Sequence, residues 1–255
     1  MKRCFFSIDV ESDFDKKETF HGVESLVKIL NILEKHNIPA TIFVTGNVLE
    51  KYPDRVKEWA KDYEISCHGF SHQFWSELSF EEREKEIDDF LSLYQKIFNK
   101  NPVGFRAPSH LIDEQGLKIL EDRGFLYDSS ILPHYPSFKS PYRGYKGKAP
   151  LLPYFPDINN CRRKGGMKIL EIPVSGLLFG IPLAGTWILK LPLFFYKLLL
   201  LLKSPVFLTF NLHSWDSLNE KLLEKIDKIL TILEGKNYQF LKGSQIYIKK
   251  HESLS

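Results

Sequence analysis

Segments with the two-residue period of strands and the 3.6-residue period of helices alternate through the first half of the chain. Residues 5–10, 40–44, 64–67, 103–106 and 126–128 read as strands. Residues 23–36, 48–62, 80–98 and 114–123 read as helices, the last ended by Gly124, a residue suited to a helix C-terminal cap. That β-α-β-α order implies a parallel sheet with helical crossovers. Further on, residues 169–174 and 206–212 read as buried strands and residues 218–233 as an amphipathic helix. The apolar pieces 238–241 and 246–248 close the fold. No internal repeat and no domain boundary interrupts the pattern.

Parallel α/β folds build their sites where the strands end at their C-termini. Charged groups and histidines recur there in this chain: Asp9, His68, Arg106 and Asp128. Asp9, Glu11 and Asp13 follow the apolar run Cys4-Phe5-Phe6 at alternate positions, so they share one face of an extended strand. Like charges that close repel unless a cation or a proton lies between them. Alternation favours Asp9 and Glu11 as a pair and leaves Asp13 in reserve.

His68-Gly69-Phe70-Ser71-His72 follows the strand at 64–67. Two imidazoles four apart face one point if the segment turns into a helix. Neutral imidazole is a common zinc ligand, and two with one carboxylate leave a position open. Arg106 precedes the rigid turn Ala107-Pro108 and is placed either as a surface charge or as the partner of a carboxylate. His213 ends the last long buried strand, either as a core histidine or as a general acid. Asp128 either hydrogen-bonds an imidazole or caps a turn. Alternation turns Cys67 away from the site, as a buried structural thiol. His110 and His134 are remote candidates for a substrate cleft.

The net charge of +3 excludes the strong basic bias of a nucleic-acid binder. The one dense basic cluster, Arg162-Arg163-Lys164, falls in an expected loop. Three scattered cysteines fit a reducing compartment. Asp9 and Glu11 interrupt the apolar N-terminus before a signal-peptide core forms. The expected location is therefore the cytoplasm, with a peripheral position at the inner membrane face as the variant.

Taken in order, these motifs resemble those of the polysaccharide deacetylases, the NodB-homology or carbohydrate esterase 4 family. The resemblance runs from about Phe5 to about Trp215. Ser7-Ile8-Asp9-Val10-Glu11 is similar to the first motif and His68-Gly69-Phe70-Ser71-His72 to the second. Phe105-Arg106-Ala107-Pro108 is similar to the third, and Leu212-His213 to the fifth. Tyr127-Asp128-Ser129-Ser130 stands in the place of the fourth. The resemblance implies a distorted (β/α) barrel of the NodB-like type, with residues 1–255 as one catalytic domain. It also implies a metal-dependent N-deacetylase acting on an amino sugar in a glycan or glycan precursor. Glu11, His68 and His72 then hold a divalent metal, expected to be zinc. Asp9 is the base, Arg106 its orienting partner, and His213 the acid, oriented by Asp128.

Three features depart from the family pattern. Val10 separates Asp9 from Glu11 where many members have adjacent aspartates, which leaves the metal carboxylate open between Glu11 and Asp13. Ser109-His110 stands where an aromatic commonly follows the proline. A tryptophan is missing beside Asp128. The alternatives are a deformylase or deacetylase of a lipid-linked sugar, a cyclic-amide hydrolase, or an inactive carbohydrate-binding protein.

Two stretches fall outside the motifs. Residues 132–167, rich in proline and tyrosine, read as a long loop without helix or strand, walling a substrate cleft. The apolar segment 177–203 is broken by Lys190, Pro192, Lys197 and Lys203, against the roughly 20 uninterrupted residues of a membrane span. It reads as a packed helix or as an interfacial segment touching a membrane through residues 187–203.

Overall fold

Strand β1 (Lys2–Val10) is buried from Cys4 onward on both faces, as a central strand of a parallel sheet must be. In this computed structural model, which describes residues 1–14, 19–134, 148–177 and 180–252, it pairs with three neighbours. These are β10 (Phe207–His213), β2 (Thr41–Val44) and β11 (Tyr238–Leu241). Beyond β2 follow β3 (Glu64–Cys67), β4 (Gly104–Phe105), β5 (Tyr127–Asp128) and β8 (Leu170–Glu171), and beyond β10 lies β9 (Leu183–Ala184). Every pairing in this sheet is parallel. The sheet curls into a half-barrel. The extended chain after β8 reaches across to β10: Thr209 donates from its backbone N to Ser175 O and from Oγ1 to Pro173 O.

Alternation along the strands makes two cores. Cys4, Phe6, Ile8 and Val10 face outward, with Ile42, Val44, Cys67, Leu208, Phe210 and Leu212, onto the helices. These are α1 (His21–Ser25), α2 (Val27–Lys35), α3 (Gly46–Lys51), α4 (Pro53–Trp59), α5 (Phe80–Phe98), α6 (Glu114–Asp122), α7 (Gly185–Lys190), α8 (Leu193–Leu202) and α9 (Glu220–Gly235), while α10 (Gly243–Glu252) packs through Ile246 on the inner core. Phe5, Phe43, Tyr127, Leu170, Ile172 and Phe207 face inward and fill the floor of the half-barrel. Above that floor the inward positions turn polar, and the candidate site begins. Cys67 faces the outer layer, as alternation implied.

Three expectations change. The helix over 48–62 is two, α3 and α4, because Pro53 lacks an N–H and disfavours a helical Tyr52 before it. The helix over 23–36 is divided at Leu26, which keeps right-handed helical angles. The stretch 132–167 is not wholly loop. β6 (Pro156–Asp157) and β7 (Asn160–Lys164) form an antiparallel hairpin, so Arg162, Arg163 and Lys164 lie on a strand. Asp157 Oδ1 accepts from Asn159 N and shapes its turn. Residues 135–147 of that stretch, with Tyr135, Tyr142 and Tyr145, lie outside the described residues.

Candidate active site

The parallel register sets the polar residues side by side. Ser7 lies opposite Asn211, and Asp9 opposite both His213 and Phe43. One residue past β4, Arg106 enters the half-barrel fully buried. Its guanidinium donates to Asp9 Oδ1 (2.7 Å), Asn211 Oδ1 (2.6 Å) and Ser7 Oγ (2.9 Å). It also donates to Ser129 O (2.8 Å) and Ser129 Oγ (2.9 Å). Phe43 supports it from below, 4.3 Å from Cζ to the ring centre. Asn211 Nδ2 donates to Asp9 Oδ2 at 3.0 Å, so both Asp9 oxygens are held. Burial pushes the Asp9 carboxyl up, but Arg106, followed by His68, His213 and His110, more than reverses that. The carboxyl lies well below the usual carboxylate range.

His213 Nε2 stands 3.9 Å from Asp9 Oδ2, and the ring stacks on Trp215 with centroids 4.4 Å apart. Asp216 accepts from His213 N at 2.8 Å and lies 4.0 Å from Nδ1. Burial raises the Asp216 carboxyl, against the pull of His213.

Glu11, His68 and His72 converge beside Asp9. One ligating atom from each lies within 4.8 Å of the others. Glu11 Oε1 is 3.9 Å from His68 Nε2, and Glu11 Oε2 contacts His72 Nε2. His68 Nδ1 is hydrogen-bonded to Arg106 O at 2.8 Å, which turns Nε2 toward the cluster. Burial lowers the His68 pKa despite the nearby Asp9 and Glu11 carboxylates, and so favours the neutral ring that binds metals. The donor set therefore fits a divalent cation of the zinc kind.

The histidine segment is not a helix. Gly69 takes φ +74° and His72 φ +62°, and the rings converge across a loop. Glu86 on α5 holds that loop, accepting from Phe70 N (2.8 Å), Ser71 N (2.9 Å) and Ser71 Oγ (2.6 Å).

Asp13 is committed elsewhere. It accepts from His21 N and Gly22 N, both at 2.9 Å, at the start of α1. That leaves Glu11 as the carboxylate beside the histidines. Asp128 corrects another expectation. Its oxygens accept from Ser130 Oγ (2.7 Å) and Ser130 N (3.1 Å), with Glu171 as its other partner. No hydrogen bond or ion pair joins it to His213 among the described residues. The acid beside His213 is Asp216, three residues on in Leu212-His213-Ser214-Trp215-Asp216. Of the remote candidates, His110 faces the site. Burial, with Arg106 next, pushes its pKa down to about 3. His134 is exposed.

Residues 9–127 match the polysaccharide deacetylase family model. Over that stretch, just under half of the chain, the sequence is similar to the polysaccharide deacetylases. A Gibberella zeae peptidoglycan deacetylase-like protein is 36% identical over 117 residues, covering 44% of this chain and 33% of that protein. The matches span a third to under half of the length of such curated relatives. Among solved structures, a Mycobacterium smegmatis protein assigned to the polysaccharide deacetylases aligns over 99% of this chain and 91% of its own. Its TM-score is 0.71 at 19% identity. Puue allantoinase aligns over 98% of this chain and 90% of its own, with TM-score 0.69 at 16% identity. At those identities the two structures establish the fold, a distorted (β/α) barrel.

Proposed function

We propose that the chain is a metal-dependent hydrolase that removes an N-acyl group, acetyl foremost, from an amino sugar in a glycan or glycan precursor. One observation carries this reading. A fully held Asp9 lies within 4 Å of His213, while Glu11, next on the same strand face, joins two histidines. Glu11, His68 and His72 would hold the cation, which when bound supplies a positive charge that acidifies water and polarises an acyl carbonyl.

The protein groups divide the remaining work. Asp9 stays ionised through the neutral range and accepts the proton of the attacking water. Arg106 and Asn211 fix which way its oxygens point. The water oxygen bonds to the acyl carbon, the carbon–nitrogen bond breaks, and His213 delivers a proton to the leaving amine. Trp215 stacks on the His213 ring, and Asp216 holds the His213 backbone N–H. The products are a free carboxylate and an amino sugar.

The test is a panel of N-acetylated and N-formylated sugars, offered free, as oligomers and linked to lipid, with release of amine as the readout. Metal-dependent release from any of them supports the proposal, and the preferred form selects between polymer and lipid-linked substrate. Binding of the sugars without turnover would instead make the chain a carbohydrate-binding protein.

A further inference from the structure

Helix α8 is apolar on two faces. Tyr196, Leu199 and Leu200 are buried toward the fold. Phe194, Leu198, Leu201 and Leu202 occupy the opposite face and are 68%, 43%, 74% and 66% exposed. Their spacing of four, three and one puts them in a single stripe along the helix. Leu189 on α7 and Val206 before β10, which flank α8 in the chain, are also exposed, at 40% and 60%. A peripheral helix on a sheet ordinarily turns polar residues outward, and contiguous exposed apolar surface marks a contact site.

The charges within this stretch of the chain have one sign. Between Glu171 and Asp216 the sequence contains no aspartate or glutamate. Its lysines, Lys190, Lys197 and Lys203, are all exposed. Their side chains make no ion pair or hydrogen bond among the described residues. On the neighbouring α9, Glu220 and Asp227 are already paired, with Lys28 and Lys35. No helix here is long and apolar enough to cross a membrane.

We infer that this face docks on the surface of an anionic phospholipid bilayer. The apolar stripe enters the boundary between headgroups and acyl chains, and the lysines meet the phosphates around it. An apolar protein partner would not require the lysines or the absence of acids. The geometry also orients the molecule. α7 and α8 cross from the C-terminal end of β9 to the N-terminal end of β10, so the stripe runs down the side of the half-barrel, away from the strand ends that carry Asp9 and His213. A bilayer on that side leaves the mouth of the site open. This inference is independent of the proposed chemistry.

The experiment is flotation of the whole chain with vesicles of phosphatidylcholine alone, or of phosphatidylcholine and phosphatidylglycerol in equal parts. Three lysines near an anionic surface predict roughly a hundredfold stronger partitioning to the anionic vesicles, reduced by salt. The double variant L198E/L201E and the triple variant K190E/K197E/K203E each lose it. Both change exposed positions, and an unchanged melting temperature confirms that they fold. Equal recovery with and without lipid overturns the inference, as does a double variant that binds like the wild type. A concentration-dependent dimer that L198E/L201E dissociates, without vesicle binding, assigns the face to a second copy instead and also overturns it.

Discussion

Asp9, Glu11 and Asp13 look alike in the sequence, and the structure gives each a different neighbourhood. Asp9 meets Arg106 and Asn211, Glu11 meets His68 and His72, and Asp13 accepts the first free N–H groups of α1. Zinc uptake, measured by atomic emission after dialysis, separates the last two. Glu11→Ala is expected to lose it. Asp13→Ala is expected to retain it and lose about 1 kcal/mol of stability, the usual cost of a deleted N-terminal cap. The reverse result would exchange their roles. Arg106 and His68 were legible because each directly follows an apolar strand, where a buried polar group needs a reason. Asn211 and Asp216 were not. Asn211 looks like any strand residue until the register of β1 and β10 puts it against Ser7 and Arg106. Of the two readings of Asp128, the turn cap is the one its partners fit: Ser130 is set by local turn chemistry, and Glu171 by the neighbour of β5 in the sheet.

At the scale of elements, the loop between β3 and α5 is the instructive case. Helical spacing explained how His68 and His72 meet, yet the chain bends through left-handed angles and is held from outside by Glu86. Nothing in the H-G-F-S-H string encodes that brace, which lies on the next helix. Glu86→Ala removes no ligand, but should weaken metal affinity roughly 10- to 100-fold, the usual effect of deleting an outer support, as read by competition with a chromogenic chelator. Unchanged affinity would mean that the loop holds its shape alone. The elements around the site reinforce one another similarly. Ser217 Oγ donates to Gly22 O, and a Cβ on Gly22 would come within 2.5 Å of Trp215 N. α1, fixed by Asp13, therefore sits directly against the turn that follows His213. The split of α3 from α4 was readable from Pro53. The hairpin of β6 and β7 was missed because two short strands within a proline-rich stretch give little periodic signal.

Across the whole molecule, period-two alternation makes one set of strands serve an outer apolar layer and a polar interior, and that division was present in the sequence. The buried acid pair at the far side of the half-barrel was not. Burial and then the Asp128 charge raise the Glu171 pKa well above its ordinary 4.5, so Glu171 keeps its proton and Asp128 is the partner that holds it there. A folded state that binds a proton more tightly than the unfolded chain gains stability that is full below the unfolded pKa. That gain is lost as pH rises through the folded one. Glu171→Gln keeps an acceptor for Ile131 N and cannot ionise. Its melting temperature should therefore fall less than that of the wild type between mildly acid and mildly alkaline buffer. A steeper fall would show that the charged form of Glu171 is the stabilising one.

Asp9 and His213 are proposed to work as base and acid beside a cation held by Glu11, His68 and His72. Acetate release from an N-acetylglucosamine oligomer tests it most directly, with the zinc-loaded protein compared with the chelated protein and with Asp9→Asn and His213→Ala carrying equal zinc. The expected result is release by the zinc-loaded wild type, its loss on chelation, and a drop of roughly 100-fold or more in each variant. Full zinc-dependent release by both variants would contradict it.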